Sequence, residues 1–86
     1  MQPYPQSPKI QTRRPVLIFL KHVGPPIVLY VEDSDALYSE IKQIIASASN
    51  SIPKLIEKSA KGPVKKLCVL DTQIAGVAIQ EESFAT

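Results

Sequence analysis

From Ser34 to Ser49 the chain reads SDALYSEIKQIIASAS, and no other stretch carries a comparable helical period. Leu37, Ile41, Ile44, Ile45 and Ala48 recur at i, i+4, i+7, i+8 and i+11, with Asp35, Ser39, Glu40, Lys42, Gln43 and Ser47 on the rest of the wheel. This predicts an amphipathic helix with one face to bury. Asp33 or Ser34 can accept a backbone N–H of the first turn, and Asp33 and Asp35 place negative charge at the positive end of the helix dipole. At the other end Ser47, Ser49, Asn50 and Ser51 compete with the backbone for hydrogen bonds, and Pro53 disfavours helical geometry at Ile52, so the helix is expected to stop near Ser49. A helix of about 15 residues is marginal alone in water. It has to lie on something apolar.

The flanking segments supply that surface. Val16–Leu20 in PVLIFLK is wholly apolar, rich in β-formers and too short for a helix, which predicts a strand covered on both faces. His22-Val23-Gly24-Pro25-Pro26 reads as a turn, and Ile27–Val31 as a second strand pairing with the first as an antiparallel hairpin. After the helix, Lys54–Lys58 reads as a short strand, Ala60-Lys61-Gly62-Pro63 as a turn and Val64–Leu70 as a further strand with Leu67 and Val69 on one face and Cys68 and Leu70 on the other. Asp71-Thr72-Gln73 is short enough for a tight connection to a last strand, Ile74–Gln80, whose Gly76 and Ala78 imply a face crowded by backbone. The expected fold class is α+β: an antiparallel sheet of about five strands, in the order ββαβββ, with the one helix packed on it. Residues 1–14, with prolines at 3, 5 and 8 and little to bury, are expected to form a disordered proline-rich arm, residues 15–82 a single domain and residues 83–86 a frayed tail.

A chain of 86 residues buries only about 60% of its unfolded surface or slightly more, so the core is small and a deep substrate cleft is not expected. One Cys and one His cannot form a disulfide or fill a structural zinc site within one chain. His22 lies in a turn with no Ser, Cys or Asp close in sequence, and is read as a solvated turn residue instead of a general base. Cys68 is read as inert core packing. Glu32, Asp33 and Asp35 lack the spacing of a calcium loop, and Gly24, Gly62 and Gly76 are too scattered for a phosphate loop. No catalytic residue, metal or cofactor is therefore expected, and no small-molecule substrate is indicated. The longest apolar stretch is broken by Lys21, His22 and Gly24-Pro25-Pro26, and the start of the chain shows no apolar core of a secretory signal. A cytoplasmic protein without a membrane span is expected.

Two features point outward. Val16–Leu20 and Ile27–Val31 are apolar on both sides although one helix covers only one face of a sheet, which leaves a closed barrel or contact with another subunit. This gives an interaction or regulatory protein binding another protein or itself through Val16, Ile18 and Leu20, with Arg13 and Arg14 of the arm beside them. The alternative is a nucleic-acid-binding regulator. Lys9, Arg13, Arg14 and Lys21 precede any acidic residue, and Lys54, Lys58, Lys61, Lys65 and Lys66 surround the second turn, where they could follow a phosphate backbone. No aromatic side chain is interleaved with these lysines to stack bases.

The segments PPIVLYVEDSDALYSEI, IPKLIEK and KKLCVLDTQIAGVAIQEE, over Pro26 to Glu82, resemble a family of small uncharacterised cyanobacterial proteins. Shared features are the short β run, the acidic helix start before Ala36-Leu37-Tyr38, the P-x-L-x-E strand and a closing K-K-x-x-V-L…I-x-x-V-x-I-x-E hairpin. The proline- and arginine-bearing arm, the extended first strand and Gly62-Pro63 depart from that pattern. The resemblance implies a soluble cytosolic protein of photosynthetic bacteria with no established activity, and it transfers no functional residue.

Overall fold

A computed structural model describes residues 10–48 and 52–85. Seven strands and one helix follow in the order β1 (Ile10–Arg13), β2 (Val16–Leu20), β3 (Ile27–Leu29), α1 (Ser34–Ala48), β4 (Leu55–Ser59), β5 (Lys66–Leu70), β6 (Ile74–Ile79) and β7 (Glu82–Ala85), with a short 3-10 turn at Asp71–Gln73 between β5 and β6. The class is α+β with antiparallel pairing, as the apolar periodicities imply. The strands do not form the single five-stranded sheet expected. They form a three-stranded sheet, β3-β2-β6, and two ribbons, β4-β5 and β1-β7. Because β3 and β6 end the central sheet, it is open and not a barrel.

The doubly apolar β2 lies in the middle of that sheet, paired with β3 through Val16↔Leu29 and with β6 through Val16↔Ile79 and Ile18↔Val77. The β2-β3 hairpin is the one expected. The closing hairpin is not: β5 pairs with β4, and β6 returns to β2. The physical reason lies at Asp71. Its Oδ1 accepts the Lys54 N–H at 3.0 Å while its own N–H donates to the Lys54 carbonyl at 2.9 Å, closing the β4-β5 ladder just where the 3-10 turn redirects the chain. With β5 committed to β4, the turn carries β6 away towards β2.

Inward-facing side chains of the central sheet meet the helix. Val16, Ile18, Leu29, Leu37, Ile41, Leu67 and Ile74 form one buried cluster, with Ile27, Ile44, Ile45, Val69, Val77 and Ile79 packed against it. The helix therefore presents the predicted face, and the β4-β5 hairpin adds Leu67 and Val69 to the same side of the sheet. Asp33 is the cap: its Oδ1 accepts the Ala36 N–H at 3.0 Å. Ser34 does not cap, since its hydroxyl donates instead to the Arg14 carbonyl. Ala48 is the last helical residue described, so the expected stop near Ser49 falls outside the described residues.

The expected arm and tail differ most. Residues 10–13 and 82–85 pair as β1 and β7, Ile10 opposite Ala85 and Arg13 opposite Glu82. Val16 opposite Ile79 keeps that same register, and the Gln80 N–H donates to the Pro15 carbonyl at 3.0 Å between the two ladders. The ribbon is thus a continuation of the β2-β6 pair, interrupted at Pro15, which has no N–H to give. Residues 1–9 of the expected arm, Lys9 included, lie outside the described residues.

Candidate interaction surfaces

The interaction residues expected from sequence fall on two sides of the fold. Val16 and Ile18 are 0% exposed and belong to the core, and Leu20 packs against it. Val16 and Ile18 are thus inside the fold, and Leu20 is half-buried. In a strand, alternate residues face opposite ways, and the other side of β2 carries Leu17 and Phe19. Leu17 stands opposite Val28 and Ala78, and Phe19 opposite Gly76. None of Leu17, Phe19, Val28 and Ala78 belongs to the buried cluster. Phe19 is 38% exposed, and the other three are half-buried.

This outer face has a definite relief. Phe19 stands beside Gly76 of the neighbouring strand, where an added Cβ would be in ordinary contact with it, 3.8 Å from Cδ2. The larger side chains of this face, Leu17, Phe19 and Val28, are on β2 and β3, and the small residues Gly76 and Ala78 are on β6. Strands β2, β3 and β6 contain no charged residue at all.

Arg13 and Arg14 line an open cleft of about 490 Å³ at the start of the helix, together with Tyr30, Glu32, Asp35, Lys61 and others. Most of its charges are internally matched. Arg14 donates to Asp35 at 3.2 and 3.4 Å, and Lys61 pairs with Glu32. The Lys61 ammonium beside it holds the Glu32 carboxyl below its ordinary value. The Tyr30 hydroxyl donates to Glu82 at 2.8 Å, with the Arg13 guanidinium 5.6 Å from the ring centre. That hydrogen bond, with the negative charge it points at, raises the Tyr30 phenol above its usual 10.0. Gly62 completes the setting, because a Cβ there would run into Tyr30 Cδ2, far inside contact distance. The cleft is a polar junction between ribbon, helix and turn.

The lysines do not share a face. Lys58 stands on the inner side of β4 and pairs with Glu40 of the helix, whereas Lys66 stands on the outer side of β5. Lys61 is matched by Glu32, Lys65 donates to the Lys61 carbonyl at 3.1 Å, and Lys54 is exposed ahead of β4. Cys68 is exposed on the outer side of β5, opposite Glu57, and is not the core residue expected. His22 is exposed in the β2-β3 turn with φ at 63°. Among the described residues no group of three or more His, Cys, Asp and Glu is placed to hold a metal, and no helix is long and apolar enough to cross a membrane.

The outer face was missed as a named set because β2 is apolar throughout. Alternation cannot choose a side where both sides look alike, and the face of Gly76 and Ala78, expected to be crowded by backbone, is instead the side of β6 turned away from the helix and the buried cluster. Comparison of the chain with protein-family models, curated proteins and solved structures finds no match.

Proposed function

We propose that the protein is a small non-enzymatic interaction module whose working surface is the outer face of the β3-β2-β6 sheet. Its partner there is a protein surface as apolar and uncharged as the face itself. The observation that carries this reading is Phe19, 38% exposed next to Gly76 on the side of β2 turned away from the buried cluster. A contiguous apolar face on a small domain marks a contact site, because leaving it in water forgoes about 25 cal/mol for each Å² that a partner would cover. The absence of charge on all three strands says what the partner must look like: a charged side chain laid against this face would lose its water without gaining a counter-charge.

The test is the fluorescence of an anilinonaphthalene sulfonate dye with dilute protein, native and Phe19→Lys, each checked by far-UV circular dichroism. Native protein is expected to enhance the dye and the variant to lose most of that enhancement with its spectrum unchanged. Equal enhancement by both, or none by the native protein, overturns the assignment.

A further inference from the structure

Separately from the outer face, we infer that the free edge of β6 is a docking site for an extended segment of another polypeptide, which adds to the three-stranded sheet as a further strand beside Val77 and Ile79. Two hydrogen bonds fix which way the backbone points. The Gln80 N–H donates to the Pro15 carbonyl at 3.0 Å, and the Lys21 N–H donates to the Gln73 carbonyl at 2.8 Å. Pro15 and Lys21 thus turn towards β6, and so do Leu17 and Phe19 between them, because the direction alternates along a strand. Their partners Ala78 and Gly76 turn back towards β2. Val77 and Ile79 alternate with these, so their N–H and C=O groups point out of the sheet edge. Among the described residues nothing bonds to them.

The opposite edge of the sheet is built differently. β3 has three residues and follows Pro25 and Pro26, which have no N–H, and just beyond it the Tyr30 carbonyl already accepts the Lys61 N–H at 2.7 Å. Short strands, prolines and covered groups keep an edge from pairing. β6 has six residues with no proline and no charge, and its one irregularity is the register shift opposite Phe19 and Leu20, ahead of Val77.

Side chains along β6 define the strand that fits. Val77 and Ile79 pack against the buried cluster but are only half-buried, whereas Ile18 and Val16 directly opposite are 0% exposed. The apolar layer is therefore open along this edge. An added strand closes it with apolar residues at every second position. Glu81, exposed and without an ion pair among the described residues, follows at the end of β6 and favours a Lys or Arg on the arriving segment. In this mode main-chain hydrogen bonds supply affinity and alternate side chains supply selectivity.

The test is amide hydrogen exchange read by NMR, with a blocked synthetic peptide that alternates valine and threonine and carries one terminal lysine. In the free protein Val77 and Ile79 are expected to exchange fast, and Gly76, Ala78 and Gln80 slowly. Peptide at about 1 mM is expected to slow Val77 and Ile79 about tenfold, as a dissociation constant on the order of 0.1 mM implies. The same peptide N-methylated at its valines is expected to have no effect, because a valine facing Val77 on the same side of the sheet is also the residue that exchanges backbone bonds with it. Val77→Pro removes an outward N–H and none that β6 gives to β2, and is expected to keep its far-UV circular dichroism spectrum while Ile79 loses the response. If that variant does not fold, the N-methylated peptide decides alone. Val77 and Ile79 already slow in the free protein, no slowing by the peptide, equal slowing by its N-methylated form, or slowing at Val28 of β3 in their place overturns the inference.

Discussion

Tyr30 joins three parts of the fold at one ring. Its carbonyl accepts the Lys61 N–H at 2.7 Å, its hydroxyl reaches Glu82 of β7, Gly62 lies against its flank and Arg13 of β1 stands over its face. Its pKa direction gives a signed expectation. A phenol raised in the folded state contributes stability that is fully present below its unfolded value of 10.0 and is lost as pH rises through the folded value above it. In an ultraviolet titration Glu82→Gln should bring the Tyr30 step back towards 10.0, with unfolding midpoints of the two proteins converging at strongly alkaline pH. A Tyr30 step that does not move in the variant removes Glu82 as the cause. Little of this residue-level detail could be read beforehand. Cys68 shows why: strand alternation put it opposite Leu67 and Val69 correctly, but only the packing of Leu67 into the core decides which of those sides is exposed.

Among the elements, α1 was the most legible, because one amphipathic period names both the element and its buried face. Leu37, Ile41 and Ala48 are buried as that period requires. Ile41 is 0% exposed in the cluster shared with Val16 and Ile18, so Ile41→Ala should lower unfolding free energy by about 2–5 kcal/mol, through lost burial and the cavity left behind. Lys42→Ala, on the exposed side, should stay within about 0.5 kcal/mol. Urea unfolding of both variants checks the contrast, and comparable losses would mean that the helix does not sit on the sheet as described. Strand positions were legible too, but their partners were not. β5 and β6 are neighbours in sequence, yet the Asp71–Lys54 pair commits β5 to β4. The β1-β7 ribbon escaped notice because its two strands come from the two ends of the described chain. Pairing of that kind depends on the register carried over from β2 and β6, not on any local apolar pattern.

For the whole molecule, the asymmetry of covering is what matters. Helix α1 and the Leu67 and Val69 side of β4-β5 lie on one face of a three-stranded sheet whose other face has no described cover. That a face would be left over was legible from β2 and β3, each apolar on both sides against a single helix. Which face it would be was not, and the expected set of Val16, Ile18 and Leu20 is the covered one. Distribution of charge follows the same division: lysines and carboxylates pair around the helix, the turn and the ribbon root, as in Lys58–Glu40, Lys61–Glu32 and Arg14–Asp35. The bare sheet face takes no part in that network.

Amide and methyl chemical shifts followed by NMR as the anilinonaphthalene sulfonate dye is titrated into dilute protein would locate the working surface residue by residue. Shifts are expected to move at Leu17, Phe19, Val28, Gly76 and Ala78, and to hold still at Lys54, Lys58 and Lys66. Movement centred on the lysines, or on the cleft beside Tyr30 with the sheet face silent, would contradict the assignment of that face.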